Sequence, residues 1–457
     1  MTQAPQQRAA VILAAGKGTR MKSALPKVMH AVGGRPMMDW SIALARQTGC
    51  GRIVAVVHPS QDVLIAHLKA GHPDVAIAFQ DPPQGTGHAV RCAEEALAGF
   101  EGELAVLYGD SPLVPAAVID ELFAGVAGGA ALGVLGFEAA DPGLYGRLIT
   151  NAAGDLEAIV EAREATPDQL RVRICNSGVM AGRAKDMFRL LQKITNANAK
   201  GEYYLTDLVG LARAEGGRCA LVKATEDDLI GCDSKADLAE AEAIFQTRRR
   251  KALMEAGVTM VAPETVFLSH DTEIAADVVV EPNVVFGPGV RVAAGARLKA
   301  FSHLEGAVVG EECEIGPFAR LRPGTVLAAG VKIGNFVETK NTAMGEGAKA
   351  NHLAYLGDGA IGAGANIGAG TIFCNYDGYL KHQTMIGEGA FIGSNSALVA
   401  PVSIGDGAYV GSGSIITKDV PADALAVARA HQMTREGWAK TFRTKKAAEK
   451  ASKGKKG

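Results

Sequence analysis

Hydrophobic residues in the first half of the chain occur in short continuous runs that alternate with stretches of helical periodicity. The runs cover residues 9–14, 53–57, 75–79, 104–107 and 131–137, and the helical stretches cover residues 38–48, 62–70 and 89–97. Strands that are apolar on both faces and alternate with helices are typical of a parallel sheet covered on both sides. Such sheets bind ligands at the carboxyl ends of their strands. This half is therefore predicted to be a doubly wound, Rossmann-like α/β domain with a site at that edge.

In the second half, aliphatic residues recur at every sixth position. They are Val309, Ile315, Leu321, Leu327 and Ile333, and then Ile386, Ile392, Leu398, Ile404, Val410 and Ile416. Neither an α-helix nor a flat strand has a period of six, whereas a β-solenoid with short faces stacks one aliphatic side chain per face. Glycine, at 56 of 457 residues, often follows these positions and suits tight corners. The pattern predicts a β-solenoid.

The six-residue period breaks between Ile367 and Ile386, which are nineteen residues apart rather than eighteen. The break contains the polar and aromatic segment 373–382, which predicts a loop that leaves the coil. Loops on a rigid scaffold commonly carry functional residues. His352 is a second candidate, because a histidine can take up a proton near neutral pH. On the residues alone, a hydrogen-bonded structural role for His352 is the open alternative.

The change of pattern between the halves predicts four segments. They are an α/β domain at 1–232, a linker helix at 233–257, a β-helix at 258–440 and a disordered basic tail at 441–457. Ser234 and Asp237 have the spacing of a capping box that opens the linker helix. The basic run 248–251 is interpreted as its solvated face. A solubilising end is favoured over a binding arm for the tail.

Composition and charge exclude several classes of protein. Hydrophobic residues make up 48% and charged residues 21% of the chain, which excludes disorder over most of it. Lys and Arg number 47 against 49 Asp and Glu, so nothing in the net charge of −2 indicates binding to nucleic acid. Seven scattered cysteines without a C-x-x-C pair favour reduced thiols. The N-terminal apolar run is too short for a transmembrane segment and lacks the layout of a signal peptide, so a cytoplasmic protein is expected.

Two polar segments in the first half could carry phosphate chemistry. The glycine-bearing segment 13–21 follows the first strand, and Lys17, Arg20 and Lys27 add cations suited to phosphates. It matches neither the Walker loop nor the dinucleotide fingerprint, and a glycine turn with solvated basic residues is the alternative. Asp110 follows the strand at 104–107, where a carboxylate could hold Mg²⁺, although Gly-Asp is also common in simple turns.

Longer motifs carry a family resemblance over roughly residues 8–440. LAAGKGTRM, LPK, QGTGHA, YGDSPL, YGR, IVEAREA, CNSGVM and GEYYLTD resemble the sugar-1-phosphate nucleotidyltransferases. FARLRPGTVL, NFVETKN, HLAYLGD, NIGAGT, CNYDG and REGW resemble the acetyltransferase half of the bifunctional bacterial N-acetylglucosamine-1-phosphate uridylyltransferases/glucosamine-1-phosphate acetyltransferases. The resemblance implies a left-handed parallel β-helix of hexapeptide repeats and a homotrimer with acyl-donor sites between subunits.

The resemblance also implies two reactions. Acetyl-CoA, as co-substrate, would acetylate glucosamine-1-phosphate, and UTP would then transfer its uridylyl group to N-acetylglucosamine-1-phosphate with release of pyrophosphate. The second reaction would need Mg²⁺. The product, UDP-N-acetylglucosamine, is a precursor of peptidoglycan and lipopolysaccharide.

Carried over residue by residue, the resemblance implies a site for UDP-N-acetylglucosamine. Its residues would be Leu13, Ala14, Ala15, Gly16, Arg20, Lys27, Gln80, Gly85, Thr86, Tyr108, Gly109, Gly146, Glu161, Asn176 and Asp233. Lys27 would contact the phosphates, and Asp110 and Asp233 would hold Mg²⁺. The family usually has asparagine where Asp233 stands, so metal binding is expected to persist with altered affinity.

For acetyl transfer, the resemblance implies His352 as general base, Glu338 as an orienting group and Asn375 beside the reacting centre. Residues implied to hold glucosamine-1-phosphate are Arg322, Lys340, Tyr355, Asn366 and Lys381. Those implied to line acetyl-CoA are Ala369, Asn375, Tyr376, Ser394, Ser412 and Arg429, of which Arg429 suits a CoA phosphate.

Two other functions fit the same layout. The first is a single-activity nucleotidyltransferase whose β-helix only regulates or assembles. The loop at 373–382, referred to below as the break loop, argues against this function, as do His352 and Arg429. The second is a non-catalytic scaffold of the kind found in some translation-factor subunits. That function predicts a degraded phosphate loop, whereas segment 13–21 and Lys27 are intact here.

Overall fold

The computed structural model describes residues 7–198 and 200–453. These residues form two compact units. The first runs as far as Glu255 and takes in Phe267–Thr272, and the second comprises Ala256–Val266 and the described chain from Glu273 onward. The functional division into four segments stays a prediction, and its residues 1–6, 199 and 454–457 lie outside the described chain.

The first unit is built on one large sheet flanked by helices. Its strands are β1 (Arg8–Leu13), β2 (Ala31–Val32), β3 (Arg35–Pro36), β4 (Cys50–Val57), β5 (Val75–Phe79), β6 (Glu103–Tyr108), β7 (Leu132–Glu138), β8 (Arg147–Thr150), β9 (Leu156–Val160), β10 (Ile174–Arg183) and β11 (Cys219–Ala224). Its helices are α1 (Met37–Gln47), α2 (Asp62–Gly71), α3 (Thr86–Cys92), α4 (Ala116–Ala127), α5 (Pro167–Leu170), α6 (Ala184–Leu191), α7 (Asp207–Ala214) and α8 (Lys235–Glu255). The sheet order is β11-β7-β10-β6-β1-β4-β5.

Helices cover both faces of this sheet, as the continuous apolar strands predict. Ala10 and Ile12 of β1 pack into a core shared with α1, α2 and α4, whereas Ala9 and Val11 pack into a second core shared with α3, α6 and α7. Neighbouring residues of a strand point to opposite faces, so a strand buried on both sides must be apolar at every position. β1 therefore ends, at Leu13, at the edge where the sequence predicts the site.

The sheet is mixed rather than wholly parallel. β10 pairs antiparallel with both β6 and β7, and β8 and β9 form an antiparallel hairpin beside it. The sequence analysis predicts no strand at β10, because the polar residues Asn176 and Ser177 interrupt its apolar run. A register irregularity between Asn176 and Met180 accommodates that interruption.

The predicted capping box at the start of α8 is confirmed. The Asp237 N–H donates to Ser234 Oγ at 3.3 Å, and the Ser234 N–H donates to Asp237 Oδ2 at 2.8 Å. Two backbone donors of the first turn are thereby satisfied. The Asp233 N–H also donates to Asp237 Oδ2, at 3.0 Å, so the cap holds the residue that precedes the helix.

The second unit is a solenoid of short parallel strands. They are β12 (Thr259–Met260), β13 (Glu273–Ile274), β14 (Val279–Val280), β15 (Val285–Phe286), β16 (Arg291–Val292), β17 (Arg297–Leu298), β18 (His303–Leu304), β19 (Ala307–Val309), β20 (Glu314–Ile315), β21 (Arg320–Leu321), β22 (Thr325–Leu327), β23 (Lys332–Asn335), β24 (Glu338–Met344), β25 (Lys349–His352), β26 (Tyr355–Ile361), β27 (Asn366–Ile367), β28 (Ile372–Cys374), β29 (Thr384–Ile386), β30 (Phe391–Ile392), β31 (Ala397–Val399), β32 (Val402–Ile404), β33 (Tyr409–Val410), β34 (Ile415–Ile416) and β35 (Leu425–Ala426).

These strands stack in three parallel series, one for each face of the coil. One series is β12-β14-β17-β20-β23-β25-β27-β30-β33-β35. The other two share the long strands β24 and β26, which turn a corner and contribute to both faces. Three faces of about six residues explain the period seen in the sequence.

The aliphatic side chains at the six-residue positions point inward and are buried, as predicted; none is more than 4% exposed. Burial of one such side chain stabilises a fold by about 1.5–3 kcal/mol. Ile315 pairs with Ile333, eighteen residues on, but Ile361 pairs with Ile386, twenty-five residues on. One coil therefore carries seven extra residues, and it is the coil that contains the predicted break.

Most of the segment predicted as a disordered tail is helical in the structure. Helix α9 spans Trp438–Lys453 and is exposed along its length. Alanine, lysine and glutamate favour helix even without packing, and Lys446 pairs with Glu449 at 2.7 Å. The remaining residues of that segment, 454–457, lie outside the described chain. Within the described chain, every helix is too short or too polar to cross a membrane.

Candidate active sites

Predicted residues from three distant segments of the first unit meet in one ion cluster. Lys27 Nζ lies 2.9 Å from Asp233 Oδ1 and makes a closer ion pair with Asp110. Arg20 Nη2 lies 2.9 Å from the same oxygen of Asp233. Arg20 is mostly exposed, so its pair contributes little to stability, whereas Lys27 and Asp110 are largely buried. The cluster gathers two carboxylates around one cation.

The backbone explains why these carboxylates converge. Asp110 follows β6 at the carboxyl edge of the sheet, and its C=O accepts the Cys232 N–H at 2.9 Å. That bond ties the loop before α8 to the end of β6. Asp233 is in turn held by the α8 cap described above. Oxygen ligands that converge in this way fit Mg²⁺, which takes one or two carboxylates.

Lys27 remains a cation in this setting. Burial alone would lower its pKa, but the charges and hydrogen bonds of Asp110 and Asp233 outweigh burial, so the pKa of Lys27 is raised. A buried ammonium held in this way offers a fixed positive charge to a phosphate group.

The glycine-bearing loop leaves β1 beside this cluster. The Gly109 N–H donates to the C=O of Leu13 at 3.0 Å, which joins the ends of β1 and β6. Gln61 Nε2 donates to the C=O of Ala14 at 3.0 Å. Gly18 has φ +57°, and a β-carbon there would lie 2.8 Å from that of Lys27. Glycine is needed at this position for both reasons. Ala14 and Ala15 are buried and Gly16 is exposed.

A second group of predicted residues forms around α3. Gln80 is buried and donates through Nε2 to the C=O of Gly85 at 2.9 Å. Thr86 Oγ1 accepts the Leu205 N–H at 3.1 Å, and the Thr86 side chain is a neighbour of the Tyr108 hydroxyl. Burial raises the pKa of Tyr108, so its hydroxyl stays protonated. The neighbouring Thr86 and Tyr108 side chains join this group to the end of β6.

The third predicted group, Gly146, Glu161 and Asn176, also comes together. The Asn176 N–H donates to the C=O of Gly146 at 2.9 Å. A β-carbon on Gly146 would lie 3.6 Å from Glu161 Oε1 and 3.7 Å from the Asn176 β-carbon. Burial raises the pKa of Glu161. These residues form a small polar surface beside the β8–β9 hairpin.

In the second unit, the cationic residues predicted to hold a phosphosugar lie directly after β21, on β24 and in the loop at 373–382. Arg322 Nη1 donates to Glu338 Oε1 at 2.8 Å. The Lys340 and Lys381 ammonium groups are neighbours, and Lys381 lowers the pKa of Lys340 through their contact and its charge. Two adjacent cations repel each other unless an anion lies between them. The pair is therefore suited to bind a phosphate.

His352 ends β25 and is held by a residue of the coil below. Its Nδ1 lies 2.8 Å from Asn335 Oδ1, and β23 and β25 pair these two residues directly. Because an amide oxygen only accepts, Nδ1 carries the proton and donates it. Nε2 is then left with a free lone pair, and the exposed ring can receive a proton there.

Asn375 and Tyr355 lie on either side of Gly357. A β-carbon on Gly357 would lie 2.5 Å from the Tyr355 hydroxyl and 2.8 Å from Asn375 Nδ2. Asn375 is buried and donates through Nδ2 to Asp358 Oδ2 at 2.5 Å. Asn341 donates to the other oxygen of Asp358 at 2.9 Å. Burial alone raises the pKa of Asp358, but these two bonds and the nearby lysine charges outweigh burial, so the pKa is lowered.

Four of the six residues predicted to line acetyl-CoA form a column along one corner of the coil, whereas Asn375 and Tyr376 lie in the loop at 373–382. Ala369, Ser394, Ser412 and Arg429 are 25, 18 and 17 residues apart, which is one coil at each step. The Asn395 N–H donates to the C=O of Ala369 at 2.7 Å, and the Gly413 N–H donates to that of Ser394 at 2.8 Å. The exposed Arg429 lies at the end, its Cδ 3.8 Å from where a β-carbon on Gly413 would be. A column of this kind suits an extended ligand.

The break loop itself is a short hairpin. Tyr376 and Lys381 pair across it, and Asp377 accepts N–H groups from Tyr379 and Leu380 at 2.8 and 2.7 Å. Phe373, the first residue of the predicted loop, is instead buried in β28. Asn366 lies on β27, next to Lys349 of β25 in the stack. Within the described chain, the hydrogen-bond partner of the His352 side chain is Asn335 alone.

Three residues near these sites were missed from the sequence. Gln61 holds the glycine-bearing loop after β1, Asn335 orients His352 and Asp358 anchors Asn375. The last two could have been found by counting, because Asn335 and Asp358 each precede their partner by seventeen residues, one coil. No comparable signal identifies Gln61, whose contact with Ala14 depends on the packing of β1 beside β4.

Comparisons with known families match both units. The MobA-like NTP transferase domain matches residues 10–170. The bacterial transferase hexapeptide family, a model of six repeats, matches residues 383–418. The first match covers the phosphate loop and Asp110, and the second covers the coils that carry Ser394 and Ser412.

Similar proteins span the whole chain. The bifunctional protein GlmU of Hyphomonas neptunium is 82% identical over 453 residues, which is 99% of this chain and 98% of the relative. The bifunctional protein GlmU of Caulobacter vibrioides is 56% identical, covering 98% of this chain and 96% of the relative. That of Azorhizobium caulinodans is 54% identical, covering 95% and 96% respectively.

Proposed function

Since the chain belongs to the family of bifunctional GlmU proteins, we infer that it catalyses two steps of UDP-N-acetylglucosamine synthesis. It is an acetyltransferase acting on glucosamine-1-phosphate and a uridylyltransferase acting on N-acetylglucosamine-1-phosphate. The family resemblance and the fold class predicted from the motifs, an α/β nucleotidyltransferase domain followed by a left-handed β-helix, are confirmed. The observation that carries this function is identity of 82% to a bifunctional relative along almost the full length.

For uridylyl transfer, the phosphate oxygen of N-acetylglucosamine-1-phosphate attacks the α-phosphorus of UTP and pyrophosphate leaves. Lys27 and Arg20 present positive charge to the phosphates, and the loop from Leu13 to Gly16 offers backbone N–H groups. Gln80, Gly85 and Thr86 form the base-binding side, and Gly146, Glu161 and Asn176 bind the sugar. The groupings of these residues support the assignment.

The uridylyl-transfer site includes a place for Mg²⁺, held by Asp110 and Asp233. Their convergence on Lys27 supports this assignment, because oxygen donors already gather around one positive charge. Mg²⁺ bound there offsets the negative charge that develops on the phosphates. Asp233 adds a negative charge at a position where the family usually has asparagine.

For acetyl transfer, the amine of glucosamine-1-phosphate attacks the thioester carbonyl of acetyl-CoA and the CoA thiolate leaves. His352 Nε2 takes the proton from the amine, and Asn335 holds the tautomer in which Nε2 can do so. Lys340, Lys381 and Arg322 bind the sugar phosphate, with Tyr355 and Asn366 contributing hydrogen bonds. Glu338 orients Arg322 through their ion pair.

Acetyl-CoA follows the corner column from Ala369 through Ser394 and Ser412 to Arg429, whose guanidinium binds a CoA phosphate. Asn375 and Tyr376 adjoin the reacting carbonyl. We propose that the protein assembles as a homotrimer, which the match to the bacterial transferase hexapeptide family supports. Neighbouring subunits then complete each acyl-transfer site.

The test is a product analysis with the purified full chain. Glucosamine-1-phosphate, acetyl-CoA, UTP and Mg²⁺ are supplied together and then with each omitted in turn. We expect a product with the mass of UDP-N-acetylglucosamine, free CoA and pyrophosphate. With UTP omitted, CoA and N-acetylglucosamine-1-phosphate still form.

Each failure has its own meaning. Pyrophosphate release from supplied N-acetylglucosamine-1-phosphate without any CoA production would indicate a single-activity nucleotidyltransferase with a non-catalytic β-helix. Absence of both products would indicate a scaffold.

A further inference from the structure

We propose a second metal site, for Zn²⁺, formed by Asp39, His67 and His72 on the surface of the first unit. Asp39 lies on α1, His67 on α2, and His72 directly after α2 ends. None of the three belongs to the nucleotidyl-transfer site described above. Their candidate ligand atoms all lie within 4.8 Å of one another.

The geometry is close to that of a zinc site. Asp39 Oδ1 lies 2.7 Å from His67 Nε2 and 3.0 Å from His72 Nε2. Ligand atoms bonded to one tetrahedral Zn²⁺ at about 2.0–2.1 Å lie about 3.4 Å apart. The carboxylate therefore needs to move away from each ring nitrogen by less than about 1 Å to admit the ion, and the two ring nitrogens lie within 4.8 Å of each other.

The donor set favours zinc over magnesium. Two imidazole nitrogens and one carboxylate oxygen are common ligands of Zn²⁺, and three protein ligands leave one position for water. The Lys27 cluster, in contrast, offers carboxylate oxygens only, which suit Mg²⁺. The three side chains are half-buried or better, yet each is reachable from solvent.

One neighbour competes with the ion. Arg46 Nη1 lies 3.3 Å from His72 Nδ1, and as a donor it fixes the tautomer in which His72 Nε2 carries the proton. Zn²⁺ needs the opposite tautomer, with the lone pair on Nε2. Arg46 can leave His72 readily, because Nη2 already makes two hydrogen bonds to Asp74, at 2.7 and 2.9 Å.

Zinc bound here joins α1 to the end of α2. Both helices pack on the same face of the sheet, so the ion links two elements already in contact through their core. Its role is a structural link, because the ligand atoms are already held together and the nucleotide-binding loop lies on other elements. We therefore expect zinc to protect this unit against thermal unfolding.

The experiment is a Zn²⁺ titration of the untagged, metal-stripped full chain against a chromophoric chelator. Mg²⁺ is kept in large excess so that the oxygen-ligand site is occupied. We expect one tight Zn²⁺ per chain and a higher melting temperature with zinc. Zinc-edge X-ray absorption of the loaded protein should show two imidazole ligands.

Single substitutions His67→Asn, His72→Asn and Asp39→Asn are each expected to weaken zinc binding by at least about tenfold, since even loss of a supporting group costs that much. His382→Asn is the matched control. His382 Nε2 also lies 2.8 Å from an aspartate, Asp377, but that pair contains one imidazole rather than two. It should leave the tight zinc unchanged. Arg46→Met should tighten binding, since the competing donor is removed.

Three results would overturn the proposal. The first is zinc uptake by the parent chain that does not exceed uptake by the His67→Asn/His72→Asn double variant. The second is an X-ray absorption spectrum without imidazole ligands. The third is loss of the tightly bound zinc in His382→Asn. Because zinc is measured directly, a variant that keeps its circular dichroism spectrum gives a clear answer even when enzyme activity is absent.

Discussion

The two units bring their candidate residues together in different ways. In the α/β unit, Lys27, Asp110 and Asp233 come from three distant segments and meet because strand ends and the α8 cap converge at one edge. In the β-helix, partners lie one coil apart, as with Asn335 and His352. The first site depends on tertiary packing, whereas the second follows from the repeat length.

The units also differ in how their charges are balanced. The Lys27 cation is neutralised by two carboxylates within its own cluster, whereas Lys340 and Lys381 lie side by side with like charge. A neutralised cluster is stable before its ligand arrives, and a like-charge pair is relieved by an anionic ligand. The charges of the Lys27 cluster are therefore balanced without a ligand, whereas the Lys340–Lys381 pair needs an anion to balance its charge.

The largest expected effect is the loss of acetyl transfer when His352 is replaced. His352→Ala should reduce acetyl transfer by about 10²- to 10⁴-fold, because general base catalysis typically contributes this much. The measurement is CoA release with glucosamine-1-phosphate. Pyrophosphate release by the same preparation should be unchanged, and undiminished CoA release would remove the assignment of the base.

Asp110→Asn should produce the opposite selectivity. Loss of one metal-holding carboxylate should lower Mg²⁺-dependent pyrophosphate release by about 10²- to 10³-fold, since charge stabilisation of this kind is worth that much. Acetyl transfer serves as the internal control for folding. Normal pyrophosphate release by this variant would contradict the metal assignment.

Asn335→Ala tests the link between neighbouring coils. Without the Asn335 oxygen, His352 no longer has a preferred tautomer, and kcat for acetyl transfer should fall about tenfold, which corresponds to one net hydrogen bond. A purely structural role would alter the melting temperature without changing the pH profile of kcat. We expect the profile to change and the melting temperature to stay near that of the parent.

Lys381→Met tests the like-charge pair. With the neighbouring charge removed, the pKa of Lys340 should rise, because Lys381 holds it below its ordinary value. Lys340 then stays charged to higher pH, so the alkaline loss of glucosamine-1-phosphate affinity moves to higher pH. At neutral pH, KM should increase about fivefold through loss of one cation. The measurement is KM against pH for the parent and the variant, and an unmoved profile would contradict the pairing.

The smallest expected effect is that of Asp233→Asn. The amide keeps an oxygen but loses a partly exposed charge, so the Mg²⁺ concentration needed for half-maximal pyrophosphate release should rise about two- to threefold. A loss as large as that of Asp110→Asn would show that the charge at position 233 is essential.

Much of the architecture could be predicted from the sequence because it depends on local periodicity. The buried positions of the β-helix follow the six-residue spacing, and the continuous apolar strands gave the doubly wound unit. The Ser234–Asp237 cap is a local pattern and was predicted correctly. β10 was missed because its polar residues, at a register irregularity, conceal the strand.

The candidate sites were less accessible from the sequence. Motifs identify Lys27, Asp110 and His352, but the hydrogen bond from Gln61 to Ala14 depends on packing between separate elements. Asp358 was missed because a buried aspartate in a glycine-rich strand resembles a turn residue until its two amide partners are placed. The helix in the tail was missed because lysine, alanine and glutamate are common both in exposed helices and in disordered, solubilising tails.

The seven extra residues of the longest coil leave the stacked interior unchanged, since Ile361 meets Ile386 and the following coils return to their usual length. Insertions and deletions in this hairpin should therefore leave the stacking of the coils unchanged. Evolution or protein engineering can change the length of this one segment while the stacked coils on either side of it stay as they are.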